Sequence, residues 1–406
     1  MSSVKPQTLK GFRDFIPSQA RKRQYVINTI KSVFESYGFE PLETPALEYE
    51  EILLGKYGEE GDKLMYRFTD LGGRKVALRY DQTVPLARVV AQYGNELPMP
   101  FKRYQVQPVW RAENTQKGRF REFLQCDADI VGSSSPLADA EVIAVAAKSL
   151  EKLGFKNFKI LVNDRAVFEG VDKQIIIAID KLKKIGRESI IKNLVNKGFT
   201  ENQLVSILES IESKKPTERV EQIFSFLKSF GVEPLKYGFE PALARGLDYY
   251  TSIIFEIEIE GYGAGSVCGG GRYDNLIGMF GDKQIPAVGF AFGFDRLIEA
   301  MEELKLFPTD TTKSSTKVLV TIFNAELKQK SLEVCSQLRA NNINTELYLD
   351  ENAKIEKQLK YADQKGIPYV VIIGPQEVEN NTVALKNMKT REQKTIAKEQ
   401  LPNELR

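Results

Sequence analysis

Pro108–Gly132 reads PVWRAENTQKGRFREFLQCDADIVG, and the alternation of its residues decides the fold class that we predict for the chain. Successive strand residues point to opposite faces of a sheet. One face of this predicted strand is apolar apart from Glu122, and its other members are Phe120, Leu124, Cys126, Ala128 and Ile130. The opposite face carries Arg119, Arg121, Phe123, Gln125, Asp127 and Asp129. Arg111 and Glu113 precede a short loop that ends at Gly118, so the segment predicts a β-hairpin with one core face and one polar face.

The polar face of this hairpin has two interpretations. A solvated outer strand would carry a random set of charges. A pocket for a nucleotide and a zwitterion needs guanidinium groups for phosphate, a ring for stacking, and carboxylates for an ammonium or imidazole group. The face combines all of these groups in one row, which favours the pocket.

The 406 residues include no histidine, and this absence excludes several kinds of catalysis. Ser-His-Asp and Cys-His nucleophile pairs, HExxH zinc sites and a histidine general base all require that side chain. An enzyme of this composition works through arginine, carboxylate, tyrosine and amide groups and a bound metal or nucleotide. Phosphoryl or nucleotidyl transfer, which depends on positioning and electrostatic stabilisation, suits that inventory.

The sequence indicates a cytoplasmic protein without a membrane partner. Every stretch long enough to cross a bilayer contains charged residues, and MSSVKPQTLKGFRDF lacks the apolar core of a secretory signal. The cysteines Cys126, Cys268 and Cys335 are widely scattered and suggest neither a disulfide framework nor a zinc site. With a net charge of only +2, any nucleic-acid contact depends on local basic clusters.

Composition and periodicity divide the chain into five segments. Residues 165–238 are rich in Lys, Glu, Ile and Leu at helical spacing, with a capping-box signature at Thr200 and Gln203. We therefore predict a catalytic core in two parts (1–164 and 239–307), a helical insertion between them (165–238), a polar linker (308–316) and an α/β domain with alternating strands and helices (317–406).

At this point a resemblance narrows the interpretation. The hairpin segment resembles motif 2 of class II aminoacyl-tRNA synthetases, in the form found in histidyl-tRNA synthetases. Other segments are similar to further elements of that family, in the family's order. Before the hairpin, GFEPLETPALE (Gly38–Glu48) resembles motif 1, and LRYDQTVPLAR (Leu78–Arg88) resembles the segment that holds the α-amino group. After it, LARGLDYYTSIIFE (Leu243–Glu256) resembles the histidine-recognition segment, CGGGRYDNLI (Cys268–Ile277) the glycine-rich strand and turn, and GFAFGFDRL (Gly289–Leu297) motif 3. KQLKYADQKGIPYVVIIG resembles part of the anticodon-binding domain, so the resemblance covers nearly the whole chain.

The resemblance implies an α+β protein: an antiparallel-sheet catalytic core with a helical insertion, followed by an α/β anticodon-binding domain. It implies a homodimer, with motif 1 in its interface, that uses ATP with Mg²⁺, histidine and tRNA(His), and no protein-bound metal site. The implied reaction is the activation of histidine as an adenylate and its transfer to tRNA. The rival is a non-catalytic relative of the kind that acts as regulatory subunit of ATP phosphoribosyltransferase; such relatives usually lack the anticodon-binding domain and have degraded ATP contacts. An unrelated nucleotide-binding enzyme would leave RGLDYY unexplained.

The resemblance also implies a role for individual residues. The catalytic residues are Arg111 and Arg245, both at the ATP α-phosphate. The ATP-binding residues are Arg111, Glu113, Arg121, Phe123 and Arg296. The histidine-binding residues are Asp81, Thr83 and Gln125 at the α-ammonium, Asp129, Tyr249 and Tyr250 at the imidazole, and Arg245.

Residue patterns alone support part of this assignment and leave alternatives open. Alternation predicts that Arg79, Asp81 and Thr83 share one strand face, as do Gln125 and Asp129. Taken alone, the Tyr249–Tyr250 pair also fits ordinary strand packing, and Arg296 fits a helix-surface salt bridge. Glycines 269–271 fit either a tight turn or a close approach of the backbone to a ligand.

Overall fold

The structure is a computed structural model that describes residues 4–116, 118–245, 249–311 and 313–406. The chain forms two compact units, the first comprising Met1–Asp14 and Arg23–Phe307 and the second Phe15–Lys22 and Pro308–Arg406. Among the described residues, no helix combines the length and the apolar character needed to cross a bilayer.

The elements that precede Pro308 mix strands and helices. The strands are β1 (Glu40–Pro41), β2 (Leu47–Tyr49), β3 (Arg67–Thr69), β4 (Lys75–Leu78), β5 (Phe101–Trp110), β6 (Glu122–Val131), β7 (Phe158–Asp164), β8 (Tyr237–Phe239), β9 (Ile253–Ile259), β10 (Cys268–Arg272) and β11 (Ala287–Gly293). The helices are α1 (Pro17–Ser36), α2 (Glu50–Leu53), α3 (Gly58–Lys63), α4 (Thr83–Tyr93), α5 (Pro136–Lys152), α6 (Lys173–Ile179), α7 (Leu182–Ile185), α8 (Arg187–Val195), α9 (Glu201–Glu212), α10 (Glu218–Ser229) and α11 (Phe294–Glu303).

Eight strands form one large sheet in the order β1-β5-β6-β11-β10-β9-β7-β8. Its six central strands are antiparallel, and the short edge strands β1 and β8 pair in parallel with their neighbours. The predicted hairpin is formed by β5 and β6, in register from Phe101 opposite Val131 to Trp110 opposite Glu122. Cys126, Ala128 and Ile130 lie in the main apolar core, as the alternation predicts, so the polar residues of β6 face the other way.

A helical segment follows β7. Helices α6 to α9 enclose an apolar cluster of their own that includes Ile175, Leu194 and Leu208, whereas α10 packs against α5 and contributes Val220 to the main core. The predicted capping box at Thr200 is not formed, because its hydroxyl donates to Gln203 Oε1 at 2.8 Å and its side chain makes no bond to a backbone N–H.

A small antiparallel sheet, with strand order β2-β4-β3, has one buried and one exposed face. Ala77 lies on the face that is buried in a second apolar cluster. Tyr49 and Phe68 flank Val76 on the opposite face, where they are 52% and 49% exposed, and Leu47 beside them is 43% exposed. We call these four residues, Leu47, Tyr49, Phe68 and Val76, the small-sheet apolar face.

The second unit is an α/β structure, in accordance with its alternating pattern. Its strands are β12 (Val318–Val320), β13 (Thr345–Leu347), β14 (Tyr369–Ile372), β15 (Thr382–Asn387) and β16 (Gln393–Ala397), and its helices are α12 (Lys328–Ala340), α13 (Ile355–Lys365), α14 (Pro375–Glu379) and α15 (Leu401–Glu404). The strand order is β13-β12-β14-β15-β16, with the first three strands parallel and the last two antiparallel. Helix α13 ends at Gly366, whose φ of +70° suits a residue without a Cβ atom.

Candidate active site

The polar face of β6 borders a stretch of the sheet with few side chains, formed by strands β11 and β10, which we call the floor of the site. On one side, Gln125, Asp127 and Asp129 pair with the polar residues Gln107, Gln105 and Arg103 of β5. On the other side they pair with Gly293, Ala291 and Gly289 of β11, beyond which lie Gly269 and Gly271 of β10. Strands β11 and β10 therefore contribute few side chains to this floor, and polar groups of β6 line one wall.

The glycines of this floor make room for functional side chains. A Cβ atom on Gly269 would lie 1.7 Å from Arg245 Nη1, and one on Gly289 would lie 1.9 Å from Asp129 Oδ1. A Cβ atom on Gly271 would lie 2.8 Å from Tyr250 Cδ1. Since glycines 269–271 lie inside strand β10, the tight-turn alternative is wrong. The close approach that they permit is to side chains of the chain itself.

Asp81 lies in a buried cluster of tyrosines. It accepts hydrogen bonds from Tyr57 Oη at 2.9 Å, from the backbone N–H of Val84 at 3.1 Å and from Tyr249 Oη at 3.4 Å. Burial raises the pKa of Asp81, against the effect of these hydrogen bonds. The predicted strand face of Arg79, Asp81 and Thr83 is wrong, because β4 ends at Leu78 and Thr83 begins α4.

The local sequence explains that correction. The Asp81 carboxylate binds the Val84 N–H in the first turn of α4, where backbone N–H groups lack helical partners. Pro85 also falls in this first turn, where its missing N–H costs nothing. The side chain of Arg79 takes another direction and donates to the carbonyl oxygens of Thr44 at 2.6 Å and Pro108 at 2.8 Å.

Asp129 and Gln125 each retain a buried acceptor atom that has no hydrogen-bond donor. Tyr273 Oη donates to Asp129 Oδ1, and Arg103 Nη2 lies 2.8 Å from Oδ2 without hydrogen-bond geometry. Gln125 Oε1 is likewise buried without a partner. Burial raises the pKa of Asp129. Because buried polar atoms in native proteins are almost always satisfied, the unbonded Gln125 Oε1 indicates the place of a ligand.

The two consecutive tyrosines line the same cluster. The rings of Tyr249 and Tyr250 are 4.9 Å apart, and the ring of Tyr273 lies 5.9 Å from that of Tyr249. Both residues precede β9 and are therefore not strand residues, and Tyr250 packs in an apolar cluster with Leu161, Leu243 and Ile254. Gly246, Leu247 and Asp248 of the RGLDYY segment lie outside the described residues.

Arg245 lies over Gly269 at the other end of the floor. Its Nη1 pairs with Glu256 Oε1 at 2.9 Å, and its Cζ lies 5.6 Å from the centre of the Tyr250 ring. Its Nε is buried without a hydrogen-bond partner. Arg245 therefore has one buried donor, Nε, that is available to a ligand over strand β10.

The remaining arginines are arranged around the hairpin loop. Arg111 Cζ lies 4.2 Å from the centre of the Tyr80 ring and 5.2 Å from that of Phe123. Arg121 Nε donates to the carbonyl oxygen of Glu113 at 3.2 Å, while the Glu113 carboxylate pairs with Arg119 at 3.3 Å. Lys117 lies outside the described residues.

Arg296 lies beside this loop, since a Cβ atom on Gly118 would be 3.3 Å from Arg296 Cγ. Its Nη1 donates to the carbonyl oxygen of Ser266 at 2.7 Å, which is not the helix-surface salt bridge that the sequence left open. Burial lowers the pKa of Arg296, and the positive charge of Arg119 lowers it further.

Sequence reasoning missed four residues that contact those it proposed: Tyr57, Arg103, Glu256 and Tyr273. A signal for one of them was present, because Arg103, Gln105 and Gln107 alternate directly before the segment Pro108–Gly132 from which the hairpin was predicted. Pairing the hairpin strands in register places Arg103 opposite Asp129.

An antiparallel sheet with arginines on a long hairpin, and a further arginine in the helix after its last strand, agrees with the class II aminoacyl-tRNA synthetases that the sequence resembles. Comparisons with known proteins agree with this class. A family model described as histidyl-tRNA synthetase matches residues 11–196 and 188–297, and an anticodon binding domain model matches residues 317–406. The chain therefore belongs to the histidyl-tRNA synthetase family.

Individual relatives resemble the chain over its full length. The histidine–tRNA ligase of Cytophaga hutchinsonii is 40% identical, and the match covers 99% of both chains. That of Rhodopirellula baltica is also 40% identical, and the match covers 97% of this chain and 96% of the relative. The crystal structure of histidyl-tRNA synthetase from Nostoc sp. PCC 7120 matches with a TM-score of 0.83 at 31% identity, over 99% of both chains. An ATP phosphoribosyltransferase regulatory subunit/histidyl-tRNA synthetase from Bacillus halodurans C, at 20% identity and a TM-score of 0.71, shares the fold alone.

Proposed function

We propose that this protein is a histidine–tRNA ligase. It forms histidyl-adenylate and pyrophosphate from histidine and ATP, and transfers the histidyl group to the 3′ end of tRNA(His). The observation that carries this proposal is a pair of buried atoms without hydrogen-bond partners, the acceptor Gln125 Oε1 and the donor Arg245 Nε. Acceptors suit the ammonium and imidazole N–H groups of histidine, and a guanidinium donor suits the phosphate and the carboxylate.

The acceptor end of the floor is the proposed histidine subsite. Asp81, Thr83 and Gln125 hold the α-ammonium group there. Asp129 and Tyr250 bracket the imidazole, with Tyr249 beside them. Support comes from the burial of Asp81, Gln125, Asp129 and Tyr250, all at most 7% exposed, since a water-excluded site strengthens polar recognition.

The arginine end is the proposed ATP subsite. Phe123 stacks on the adenine, with Glu113 near it, and Arg121 and Arg296 bind the outer phosphates. Arg111 and Arg245 donate to the α-phosphate, and Arg111 also to the histidine carboxylate. A carboxylate oxygen attacks the α-phosphorus and pyrophosphate leaves, while these two preorganised cations stabilise the growing negative charge. In the second step the terminal ribose hydroxyl attacks the adenylate, and a phosphate oxygen of the adenylate takes its proton.

Mg²⁺ is compatible with this ATP subsite. The described residues contain no group of three or more acidic side chains that would hold a metal ion by themselves. Mg²⁺ at nucleotide sites needs only one or two carboxylates, because substrate phosphates and water complete its coordination. Glu256, whose Oε1 lies 2.9 Å from Arg245 Nη1, would be one such carboxylate. Bound there, the ion would neutralise the outer phosphates.

We further propose that the protein acts as a homodimer and that it is located in the cytoplasm. The small-sheet apolar face begins with Leu47 of motif 1 and would be covered by a second copy of the chain. Contiguous exposed apolar surface of this kind marks interaction sites. All three cysteines are free and buried, which suits a reducing compartment. We also retain the domain limits 1–164, 165–238, 239–307, 308–316 and 317–406 as proposals, with the last segment binding the anticodon.

Charging of tRNA tests this function against its rival. Purified protein is incubated with ATP, Mg²⁺, radiolabelled histidine and tRNA, and the acid-precipitable label is measured. A histidine–tRNA ligase charges tRNA(His) and leaves other tRNAs unlabelled. A regulatory subunit of ATP phosphoribosyltransferase charges none, and that result would overturn the proposal.

A further inference from the structure

Asp127 is a buried carboxylate in the candidate site to which the proposed mechanism gives no role. It is 2% exposed, and its hydrogen bond comes from Gln125 Nε2 at a distance of 3.5 Å. Its neighbour Asp129 has a counter-ion in Arg103, whereas within the described part of the chain no such ion pair is formed to Asp127. A buried carboxylate without a counter-ion is unfavourable, so the fold keeps this one at a cost to its own stability.

The position of Asp127 is between the two proposed halves of the histidine subsite. Side chains at i and i+2 of a strand share a face and are roughly 6.6 Å apart along it. Asp127 therefore lies one such step from Gln125, at the ammonium end, and one step from Asp129, at the imidazole end. Its neighbour on β11 is Ala291, whose small side chain leaves space above the floor.

The hydrogen-bond inventory indicates which substrate group Asp127 would meet. An α-ammonium has three N–H donors and no acceptor. Asp81, Thr83 and the unbonded Gln125 Oε1 are the proposed acceptors, and of these only Asp81 carries a negative charge. Asp127 engages the amide nitrogen of Gln125, and this contact leaves the amide oxygen for the ammonium.

The negative charge of the buried carboxylates also favours contact with the α-ammonium group of the substrate. Asp81, Asp127 and Asp129 are each at most 3% exposed, and within the described residues only Asp129 is in an ion pair, with Arg103. Arg245 is paired with Glu256 and belongs to the phosphate end. A substrate that brings a positive charge between Asp81 and Asp127 would therefore balance the pocket.

We propose that Asp127 is a specificity-determining residue, which acts as a second counter-ion for the substrate's α-ammonium and holds the amide of Gln125 in its binding orientation. This inference rests on the proposed function, because it assumes that histidine occupies the site. Asp127 thereby selects amino acids over compounds that have the same ring and carboxylate but no ammonium group.

A pair of ligands and a pair of variants test the inference. L-Histidine and imidazole-4-propionate, which lacks only the α-ammonium, are titrated by calorimetry into the full-length wild type, Asp127→Asn and Asp164→Asn. Asp164 is a buried carboxylate of β7 that bonds the Ala166 N–H and Thr217 and serves as the matched control. In Asp127→Asn we expect histidine affinity to fall by roughly 10- to 100-fold, as for the loss of a charged hydrogen bond. We expect the affinity for imidazole-4-propionate to change by less than about 3-fold, and neither affinity to change in Asp164→Asn.

The outcomes separate this inference from the proposed function. Equal losses for both ligands in Asp127→Asn, or no loss for either, would overturn the role at the ammonium. A wild type that binds no histidine would instead overturn the proposed function. If Asp127→Asn does not melt cooperatively, Asp127→Ser, which also lacks the charge, is measured with the same ligands and judged by the same criterion.

Discussion

Arg245 is the residue on which the proposed chemical step depends most. A cation held at the α-phosphate stabilises charge that grows as the phosphorus becomes pentacoordinate, so its effect belongs mainly to the transition state. Loss of one such preorganised group typically costs a factor of about 10²–10³ in rate. Arg245→Ala should lower the rate of adenylate formation by that amount and change ATP binding far less. Arg245→Lys should restore only part of the rate, because a point charge does not replace a two-pronged donor.

Single-turnover kinetics at saturating ATP and histidine measure that step. Arg187→Ala, at an exposed arginine that pairs with Glu212, is the matched control and should leave the rate unchanged. If Arg245→Ala raised only the Michaelis constants and left the chemical step intact, the catalytic assignment would be wrong.

Tyr250 should affect recognition of histidine rather than the chemical step. Its hydroxyl is the proposed partner of the imidazole, and the ring would stay packed in a Phe variant. Tyr250→Phe should raise the Michaelis constant for histidine by roughly 5- to 15-fold, as for the loss of a neutral hydrogen bond. The Michaelis constant for ATP should stay unchanged, and a rise in that constant alone would contradict the assignment.

The stability of the ligand-free protein should reveal the charge of Asp127. Burial raises the pKa of Asp127 well above 3.8, so the folded chain holds this proton more tightly than the unfolded chain. Ionisation therefore destabilises the fold as pH rises above about 3.8 and through the raised pKa. Asp127→Asn removes that cost. Its melting temperature should exceed that of the wild type at pH 7.5, and the difference should shrink as the pH falls; a lower melting temperature at pH 7.5 would contradict this.

Strand β10 leaves room for the guanidinium of Arg245 because Gly269 has no side chain. Gly269→Ala places a Cβ atom where Arg245 Nη1 now lies, so it should displace the guanidinium and slow adenylate formation by roughly the 10²–10³ expected for loss of the group itself. Gly263→Ala is the matched control, because nothing lies within 4 Å of its added Cβ atom. Equal rates for the two variants would show that Arg245 does not act from this position.

The small-sheet apolar face should become buried in the interface when two chains associate. Phe68→Glu introduces a charge into this face and should convert the proposed dimer into a monomer, as measured by light scattering. Leu235→Glu changes a side chain that is 87% exposed and lies elsewhere, so it should leave the mass unchanged. A wild type that is monomeric at micromolar concentration would contradict the proposed interface.

How far the sequence predicts an element depends on whether its pattern is local. The period of two in β6 correctly separates core residues such as Ala128 from the pocket face, because strand geometry alone determines it. The same reasoning fails at Arg79–Thr83, where Asp81 bonds the Val84 N–H and a helix begins. Contacts such as that of Tyr57 with Asp81, or Glu256 with Arg245, join distant segments, so no local pattern reveals them.

The whole molecule combines a unit that holds the candidate active site with a second unit that matches an anticodon binding domain. A chain that ends at Phe307 should keep histidine-dependent pyrophosphate exchange, because all proposed site residues precede that position. It should charge tRNA poorly, because the proposed anticodon contacts are lost. Initial rates of both reactions, compared with those of the full chain, test this division. Unchanged charging would show that residues 317–406 do not contribute to tRNA binding.

Amino-acid-dependent exchange of pyrophosphate into ATP tests the central claim most directly. The full-length protein is incubated with ATP, Mg²⁺ and labelled pyrophosphate, and with each of the twenty amino acids in turn. Our account predicts rapid exchange with histidine and background exchange with the other nineteen, because only histidine fills both the ammonium end and the imidazole end of the floor. Exchange with no amino acid, or faster exchange with one other than histidine, would contradict it.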